Sequence, residues 1–148
     1  MEIQIVRVDC ENYPRFEDMV FWRKNGEERA PSLDAPSAQI CAELKNENLR
    51  VYAAEAGGRF VGWISLIYLP KIGHWGGRGH VYVDELWVAP TYRRRGIAKR
   101  MLSKADEMAD ELGAHGVRLY VNTENPGAQL LYASHGYEPS GTAVMMGK

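Results

Sequence analysis

The apolar residues of the N-terminal half follow the period of a strand in some segments and the period of a helix in others. Residues 2–8 alternate apolar and polar positions and predict a first strand. Residues 11–24 and 35–47 predict two helices, separated by a segment rich in glycine, proline and charged residues. Residues 50–56 and 59–69 then predict two strands joined by a Gly-Gly dipeptide, which is typical of a tight hairpin.

The C-terminal half alternates strands with helices. A strand is predicted at 80–88, and apolar residues at helical spacing predict a helix over 96–112 that ends at a glycine. A strand at 117–121, a short helix from Asn125 and an extended stretch at 143–146 follow. The order β-α-α-β-β-β-α-β-α-β predicts an α/β sandwich with a mixed sheet. The length of 148 residues predicts one domain.

The junction between the strand at 80–88 and the next helix has the chemistry of an anion-binding turn. A helix N-terminus presents N–H groups without intrahelical partners and a partial positive charge. A pyrophosphate can therefore bind the backbone of residues 94–99. Gly96 permits close approach of the main chain to a ligand, and the arginines at 93–95 add positive charge.

Two segments resemble the signatures of one family. Arg93, Gly96 and Ala98 match the pattern (Gln or Arg)-x-x-Gly-x-(Gly or Ala), with which the GNAT superfamily of N-acetyltransferases holds the pyrophosphate of acetyl-CoA. Downstream, the segment from Asn125 to Tyr137 resembles that family's Asn-x-x-Ala-x-x-Leu-Tyr-x-x-x-Gly-Phe. Tyrosine in place of the final phenylalanine is the only departure, and it keeps the ring.

The resemblance implies a fold and a bound acyl donor. The implied fold is a mixed, mostly antiparallel sheet of about six to seven strands with helices on both faces, splayed between the fourth and fifth strands. Acetyl-CoA enters the splay, pairs with the strand edge like an added strand, and meets the Val88 N–H at its thioester carbonyl. The implied cofactor-binding residues are Leu86, Trp87, Val88, Arg93, Arg94, Arg95, Gly96, Ile97, Ala98, Lys99, Asn125, Ala128 and Tyr132.

Two residues of the second segment have both a structural and a functional interpretation. Asn125, followed by proline, is the expected N-cap of a helix, while the resemblance implies a hydrogen bond to the pantetheine arm; the two roles are compatible. Tyr132 has the spacing of a helix packing position, while the resemblance implies a general acid that protonates the departing thiolate. A phenol with an ordinary pKa of about 10 suits that role at neutral pH.

The amine acceptor also needs a base, and carboxylates in an otherwise apolar strand are the candidates. Asp84 and Glu85 are adjacent, so a regular strand directs them to opposite faces and only one reaches the site, although a bulge can re-aim either. Some family members that acetylate polyamines carry a carboxylate at the position of Asp84. The alternative is an ion pair with a nearby arginine, and Asp84 leads Glu85 as the candidate base.

Charge and cysteine content narrow the class of function and the compartment. The 18 Lys and Arg against 19 Asp and Glu leave a net charge of −1, which disfavours nucleic-acid binding. Cys10 and Cys41 have no metal-site or disulfide-framework spacing, so two free thiols in a reducing compartment are predicted. His74 and His80 lack a third ligand, so no metal is predicted. Without a signal-like N-terminus or a long apolar run, a cytoplasmic protein with no membrane partner is predicted.

The acceptor is the part that the sequence determines least. The leading interpretation is an N-acetyltransferase acting directly, in a ternary complex, on a primary amine of a small molecule such as a polyamine or an aminoglycoside. A protein N-terminus or lysine is the alternative acceptor, and a homodimer is left open. A non-catalytic acyl-CoA sensor and a phosphate- or RNA-binding domain are the rivals from other classes.

The walls of the acceptor site are expected in the two N-terminal helices and in the Gly-rich loop at 71–77, because loops on a fixed scaffold usually carry recognition. Each candidate side chain has ordinary packing or a solvated surface as its alternative role. The candidates are Tyr13, Trp22, Trp63 and Trp75 through their ring faces, and Glu17, Asp18, Glu27 and Glu28 through their charge.

Overall fold

The secondary structure follows the predicted order as far as the last helix. The computed structural model describes residues 2–74 and 78–148. None of the helices in these ranges is long and apolar enough to cross a membrane. The elements are β1 (Ile3–Arg7), α1 (Tyr13–Asn25), α2 (Ala38–Leu44), β2 (Leu49–Ala56), β3 (Arg59–Leu69), β4 (His80–Val88), α3 (Ile97–Leu112), β5 (Val117–Leu119) and α4 (Pro126–Ser134), with short turns at Ile72–His74 and Pro90–Tyr92.

The strands form a five-stranded sheet in the order β1-β2-β3-β4-β5. The neighbours from β1 to β4 are antiparallel, and β5 joins β4 in parallel. The predicted mixed, mostly antiparallel sheet is confirmed, with fewer strands than the implied six to seven. The stretch at 143–146 does not form the expected strand. Val144, Met145 and Met146 are 85%, 93% and 88% exposed, so no apolar contact offsets the entropy cost of ordering them.

Two apolar clusters, one on each face of the sheet, hold the helices in place. On one face α1 buries Met19 against Trp63 of β3. On the other face α3 packs its apolar stripe, which recurs at intervals of three and four residues and ends at Gly113 in the left-handed conformation. The buried residues of that stripe are Ile97, Met101, Leu102, Ala105, Met108 and Ala109.

The two cysteines form a disulfide bond, so the prediction of free thiols is wrong. Cys10 follows β1 and Cys41 lies on α2, and their Cα atoms are 5.0 Å apart. The spacing of 31 residues carried no sign of this, because the pairing depends on how α2 packs beside the end of β1. The bond ties α2 to the rest of the domain.

Reducing the disulfide is expected to lower the free energy of unfolding by roughly 4 kcal/mol, because the unfolded chain regains the entropy that closing the 31-residue loop had removed. Urea unfolding with and without reductant measures the difference. A Cys10→Ser, Cys41→Ser double variant is the control, since reductant leaves its unfolding curve unchanged. Two reactive thiols in the folded, unreduced protein contradict the pairing.

Candidate active site

The turn between β4 and α3 exposes backbone N–H groups at the start of a helix. Gly96, the N-cap, has a φ of 77° and provides no side-chain cap. The Arg100 N–H bonds the Gly96 carbonyl at 3.2 Å, so the N–H groups of residues 97–99 have no intrahelical acceptor. Arg94 also has a positive φ, 62°, a costly conformation for a residue with a Cβ and one that clusters at ligand sites.

The arginines of this turn have different surroundings. The Arg93 Nε donates a 2.8 Å hydrogen bond to the Val88 carbonyl, which ties the turn to the end of β4. The Arg95 guanidinium lies 5.2 Å from the centroid of the Tyr92 ring. The exposed guanidinium groups of Arg94 and Arg95, together with the remaining Arg93 nitrogens, surround the helix start with positive charge.

β4 and β5 separate just before this turn. Their pairing covers three residue pairs and ends at Val83 and Leu119, so residues 84–88 have no strand partner on that side within the described chain. Ala89 donates its N–H to a β3 carbonyl. The alternation of an antiparallel pair therefore directs the Val88 N–H away from β3 and into the gap. The predicted splay between the fourth and fifth strands is confirmed.

A β-bulge at Asp84 turns both carboxylates of β4 to one face. Ser65 lies opposite Glu85 and the next β3 residue lies opposite Val83, so Asp84 is the extra residue. The Ser65 hydroxyl donates to Asp84 Oδ2 at 3.5 Å, and Arg23 of α1 donates to Glu85 at 2.7 Å. β4 is therefore not a regular strand, and the bulge that the sequence left open brings both carboxylates to this face.

One of the two carboxylates, Glu85, forms an ion pair with an arginine, which is the alternative to a role as the base. Glu85 is paired with an arginine of α1, 62 residues away in sequence, and not with the arginines of the turn. Asp84 forms no ion pair with a residue of the described ranges. Asp84 is thus the carboxylate that is open to a further partner.

The second motif forms the start and the middle of α4. Asn125 Oδ1 accepts the Ala128 N–H at 3.1 Å, with Pro126 in the first turn, so the predicted cap is confirmed. The Asn125 side-chain NH₂ has no hydrogen-bond partner among the described residues. Tyr132 is half-buried and its hydroxyl likewise bonds none of them. Burial raises the pKa of Tyr132 above its ordinary value, so it keeps its proton at neutral pH.

Tyr137, the one departure from the family motif, lies beside Tyr132 with ring centroids 6.0 Å apart. Its hydroxyl is buried and has no hydrogen-bond partner in the described part of the chain. Burial, then the charges of Asp106 and Tyr132, raise the pKa of Tyr137 to about 12. Among the described residues, the extra hydroxyl makes no hydrogen bond that phenylalanine would lose.

Several candidate acceptor residues have structural partners instead. Trp63 is 2% exposed, and the Trp22 ring packs edge-on against Trp87 at 5.7 Å. Asp18 accepts a hydrogen bond from Arg29 at 2.9 Å, and Glu28 pairs with Arg59. Packing or pairing thus accounts for these side chains. Trp75 lies outside the described residues.

Arg59 is a residue of this region that sequence reasoning missed. It bonds Glu28 at 2.7 Å and the Tyr92 hydroxyl at 3.2 Å, and so joins the connection after α1 to the turn that precedes Arg93. Its partners lie 31 and 33 residues away in sequence, and no local pattern indicates such contacts.

The Acetyltransferase (GNAT) family matches residues 15–137, a range that contains the turn, the gap and α4. The chain belongs to the GNAT acetyltransferase family. An N-acetyltransferase of Bacillus subtilis (strain 168) is 30% identical over 110 residues, which cover 74% of this chain and 72% of that protein. The predicted acyltransferase activity with acetyl-CoA as the donor is confirmed at the level of this GNAT family.

Solved structures of acetyltransferases superpose along the whole GNAT domain. The aminoglycoside acetyltransferase AAC(6')-Iy, in complex with a bisubstrate analogue, has a TM-score of 0.78 at 16% identity, covering 100% of this chain and 99% of that one. A ribosomal-protein-alanine N-acetyltransferase from Brucella melitensis has a TM-score of 0.72 at 17% identity, covering 99% of each chain. These likenesses confirm the predicted fold and carry no statement about the acceptor.

The Gly96→Ala variant is expected to raise the KM for acetyl-CoA about tenfold, because the left-handed conformation costs a residue with a Cβ roughly 1–2 kcal/mol and the turn relaxes. Gly58→Ala in the β2–β3 hairpin is the matched control. Its φ is 83° against 77° at Gly96, and neither added Cβ meets an atom within 4 Å. Steady-state kinetics of both variants test the turn, and equal changes in KM contradict its role.

Proposed function

We propose that the protein transfers the acetyl group of acetyl-CoA directly to a primary amine of a small molecule within a ternary complex. The observation that carries the proposal is the edge of β4 at residues 84–88, which has no strand partner within the described residues. A short turn connects this edge to the start of α3, where no side chain caps the helix. An unpaired strand edge suits the amides of a pantetheine arm, and an uncapped helix start suits its pyrophosphate. The two lie in the order in which an extended donor needs them.

The donor would be held mostly by main-chain groups. The N–H groups of residues 97–99, with the charges of Arg94 and Arg95, bind the pyrophosphate. The edge formed by residues 86–88 pairs with the pantetheine amides. The Asn125 NH₂, which the helix cap leaves unpaired, hydrogen-bonds the same arm.

The transfer would use three groups of this chain. Asp84 accepts the ammonium proton of the acceptor and passes it to solvent, which frees the nitrogen lone pair to attack the thioester carbonyl. The Val88 N–H stabilises the negative charge that develops on the thioester oxygen. Tyr132 donates a proton to the sulfur as the C–S bond breaks. The proton that the nitrogen loses as the C–N bond forms restores the Tyr132 phenol, so the products are an amide, a free thiol and one released proton.

No covalent enzyme intermediate is needed for this route. Cys10 and Cys41 are bonded to each other, so neither supplies a thiolate nucleophile. The disulfide also bears on the compartment, because paired cysteines are uncommon in the cytosol. A cytoplasmic location, which is part of our proposal, therefore rests on the need for acetyl-CoA and no longer on free thiols.

A small-molecule acceptor is favoured by the open carboxylate in the gap. Asp84 is exposed and has no ion-pair partner among the described residues, so it attracts a protonated amine. The neighbour AAC(6')-Iy was solved in complex with an acetylneamine bisubstrate analogue. The alternative, a protein N-terminus, corresponds to the neighbour that acts on ribosomal-protein alanine. Acceptors of both kinds therefore belong in the test.

Release of free thiol from acetyl-CoA, followed with a panel of amines, tests the proposal. The panel contains a polyamine, an aminoglycoside, short peptides and an N-terminal protein peptide. We expect thiol release with at least one small amine, and intersecting initial-rate lines that indicate a ternary complex. Tight CoA binding without thiol release for any amine supports the non-catalytic sensor instead.

A further inference from the structure

The side of the sheet opposite α3 carries a row of polar residues along β4 and β5. The parallel register places Arg118 beside Tyr82. Residues two apart on a strand share a face, so His80 joins Tyr82 along β4. Tyr120 follows the end of β5, and its ring packs against that of Tyr82 on the same side. The bulge adds Asp84 at the gap end of the row. These five residues are called the polar face below.

The two ends of the polar face differ in charge. Asp84, at the gap, is exposed and forms no ion pair with a described residue. At the other end Arg118 is exposed and also forms no ion pair within the described ranges. Burial, Arg118 and Lys71, in that order, lower the pKa of His80, so the field at that end is positive.

Aromatic rings separate the two ends. Tyr82 and Tyr120 meet edge to face, with centroids 5.8 Å apart. Tyr120 is 74% exposed, so its ring is open to a ligand that lies along the sheet. A molecule on this surface therefore meets a carboxylate, then ring surfaces, then a guanidinium.

We propose that the acceptor is zwitterionic: its amine lies at Asp84, and its carboxylate or phosphate group is bound by Arg118. Tyr82, which lies beside Arg118, is two strand residues from Asp84, or roughly 7 Å at the rise of a strand. His80 is four strand residues from Asp84, or roughly 13 Å. The amine and the anionic group are thus separated by roughly 7–13 Å, the span of an extended peptide of about two to four residues. A polycationic acceptor places positive charge against Arg118 instead.

The proposal rests on the proposed function, because it takes the β4–β5 gap as the place of transfer. It adds the requirement that the acceptor carries an anionic group, which a polyamine or an aminoglycoside lacks. Specificity for the anionic group comes from one charge-assisted hydrogen-bond pair, and that pair alone changes affinity roughly tenfold to hundredfold.

Calorimetric binding to the protein saturated with CoA tests the proposal without requiring turnover. The probes are triglycine, triglycine amide, aminohexyl phosphate and hexamethylenediamine. We expect triglycine to bind roughly tenfold to hundredfold more tightly than its amide. Tighter binding of aminohexyl phosphate than of triglycine identifies phosphate as the preferred anion. Equal affinity for triglycine, its amide and the diamine overturns the proposal.

Two variants assign the effect to Arg118. Arg118→Ala is expected to weaken triglycine binding to the level of the amide while leaving the affinity for the amide unchanged, and Arg118→Glu is expected to favour the diamine. Lys45→Ala, which removes an exposed positive charge from the end of α2, is the matched control and leaves all affinities unchanged. An equal loss for triglycine and its amide in Arg118→Ala indicates a merely structural role and overturns the proposal.

The failure of this inference and the failure of the proposed function are distinguishable. Absence of thiol release with every amine overturns the proposed function, whatever the binding preference. Transfer to the diamine as efficient as transfer to triglycine, with no difference in affinity, leaves the acetyltransferase intact and overturns the zwitterionic acceptor.

Discussion

Replacing Tyr132 with phenylalanine is expected to lower kcat by roughly 10²–10⁴, the usual contribution of a general acid, with little change in the affinity for CoA. The hydroxyl makes no hydrogen bond with a described residue, so its loss leaves no buried group unpaired. Burial raises the pKa of Tyr132 above its ordinary value, so the wild-type enzyme retains its acid at neutral pH and loses it only in alkaline solution. Steady-state kinetics and calorimetric CoA binding measure the two effects.

Tyr137→Phe is the matched control for this prediction, because it removes a second half-buried phenol 6.0 Å away from the Tyr132 ring. It is expected to leave kcat unchanged. The raised pKa of Tyr137 stabilises the fold below pH 10, and that contribution to the free energy of unfolding is lost as the pH rises toward 12. Tyr137→Phe, which has no phenol at this position, should not show this decrease in stability. A kcat loss in Tyr137→Phe that equals that in Tyr132→Phe contradicts the assignment of the acid.

The second large effect is expected at the bulge of β4. Asp84→Asn should lower kcat/KM for the amine by roughly 10²–10⁴ near neutral pH, because the acceptor nitrogen loses its proton sink. Glu85→Gln is the matched control, because Glu85 is already paired with Arg23 at 2.7 Å. This substitution should lower kcat/KM much less than Asp84→Asn. The loss in Asp84→Asn should diminish as the pH rises and more of the amine is already neutral.

The opposite ranking contradicts this account. If Glu85→Gln loses more activity than Asp84→Asn, then Glu85 is the base. The ion pair between Arg23 and Glu85 then opens during the reaction. Stability of both variants is measured by urea unfolding. Asp84 is exposed and forms no ion pair with a described residue, and Glu85 is exposed and paired only with Arg23, so neither change should exceed about 1 kcal/mol.

The sequence predicted those elements whose stability is local. β3 and β4 begin and end where the apolar pattern placed them, and α3 ends at Gly113 because glycine alone tolerates the left-handed cap at no cost. The turn between β4 and α3 and the Asn125 cap were predictable for the same reason: their hydrogen bonds close within a few residues.

Contacts between distant segments were not predictable from one sequence. The pairs Cys10–Cys41 and Arg23–Glu85 join parts of the chain 31 and 62 residues apart. The direction of Asp84 depends on a bulge whose position is set by the register with β3. The stretch at 143–146 has the pattern of a strand but no neighbour among the described residues that buries it. The apolar pattern alone therefore predicted more strands than the sheet contains.

A crystal structure with bound CoA tests the central claim most directly, through the position of its sulfur. If transfer takes place in the gap between β4 and β5, the sulfur lies roughly 3–4 Å from the Tyr132 hydroxyl, on the side of β4 to which the Val88 N–H points. A sulfur more than roughly 8 Å from that hydroxyl, or a pantetheine arm outside the gap, contradicts the account.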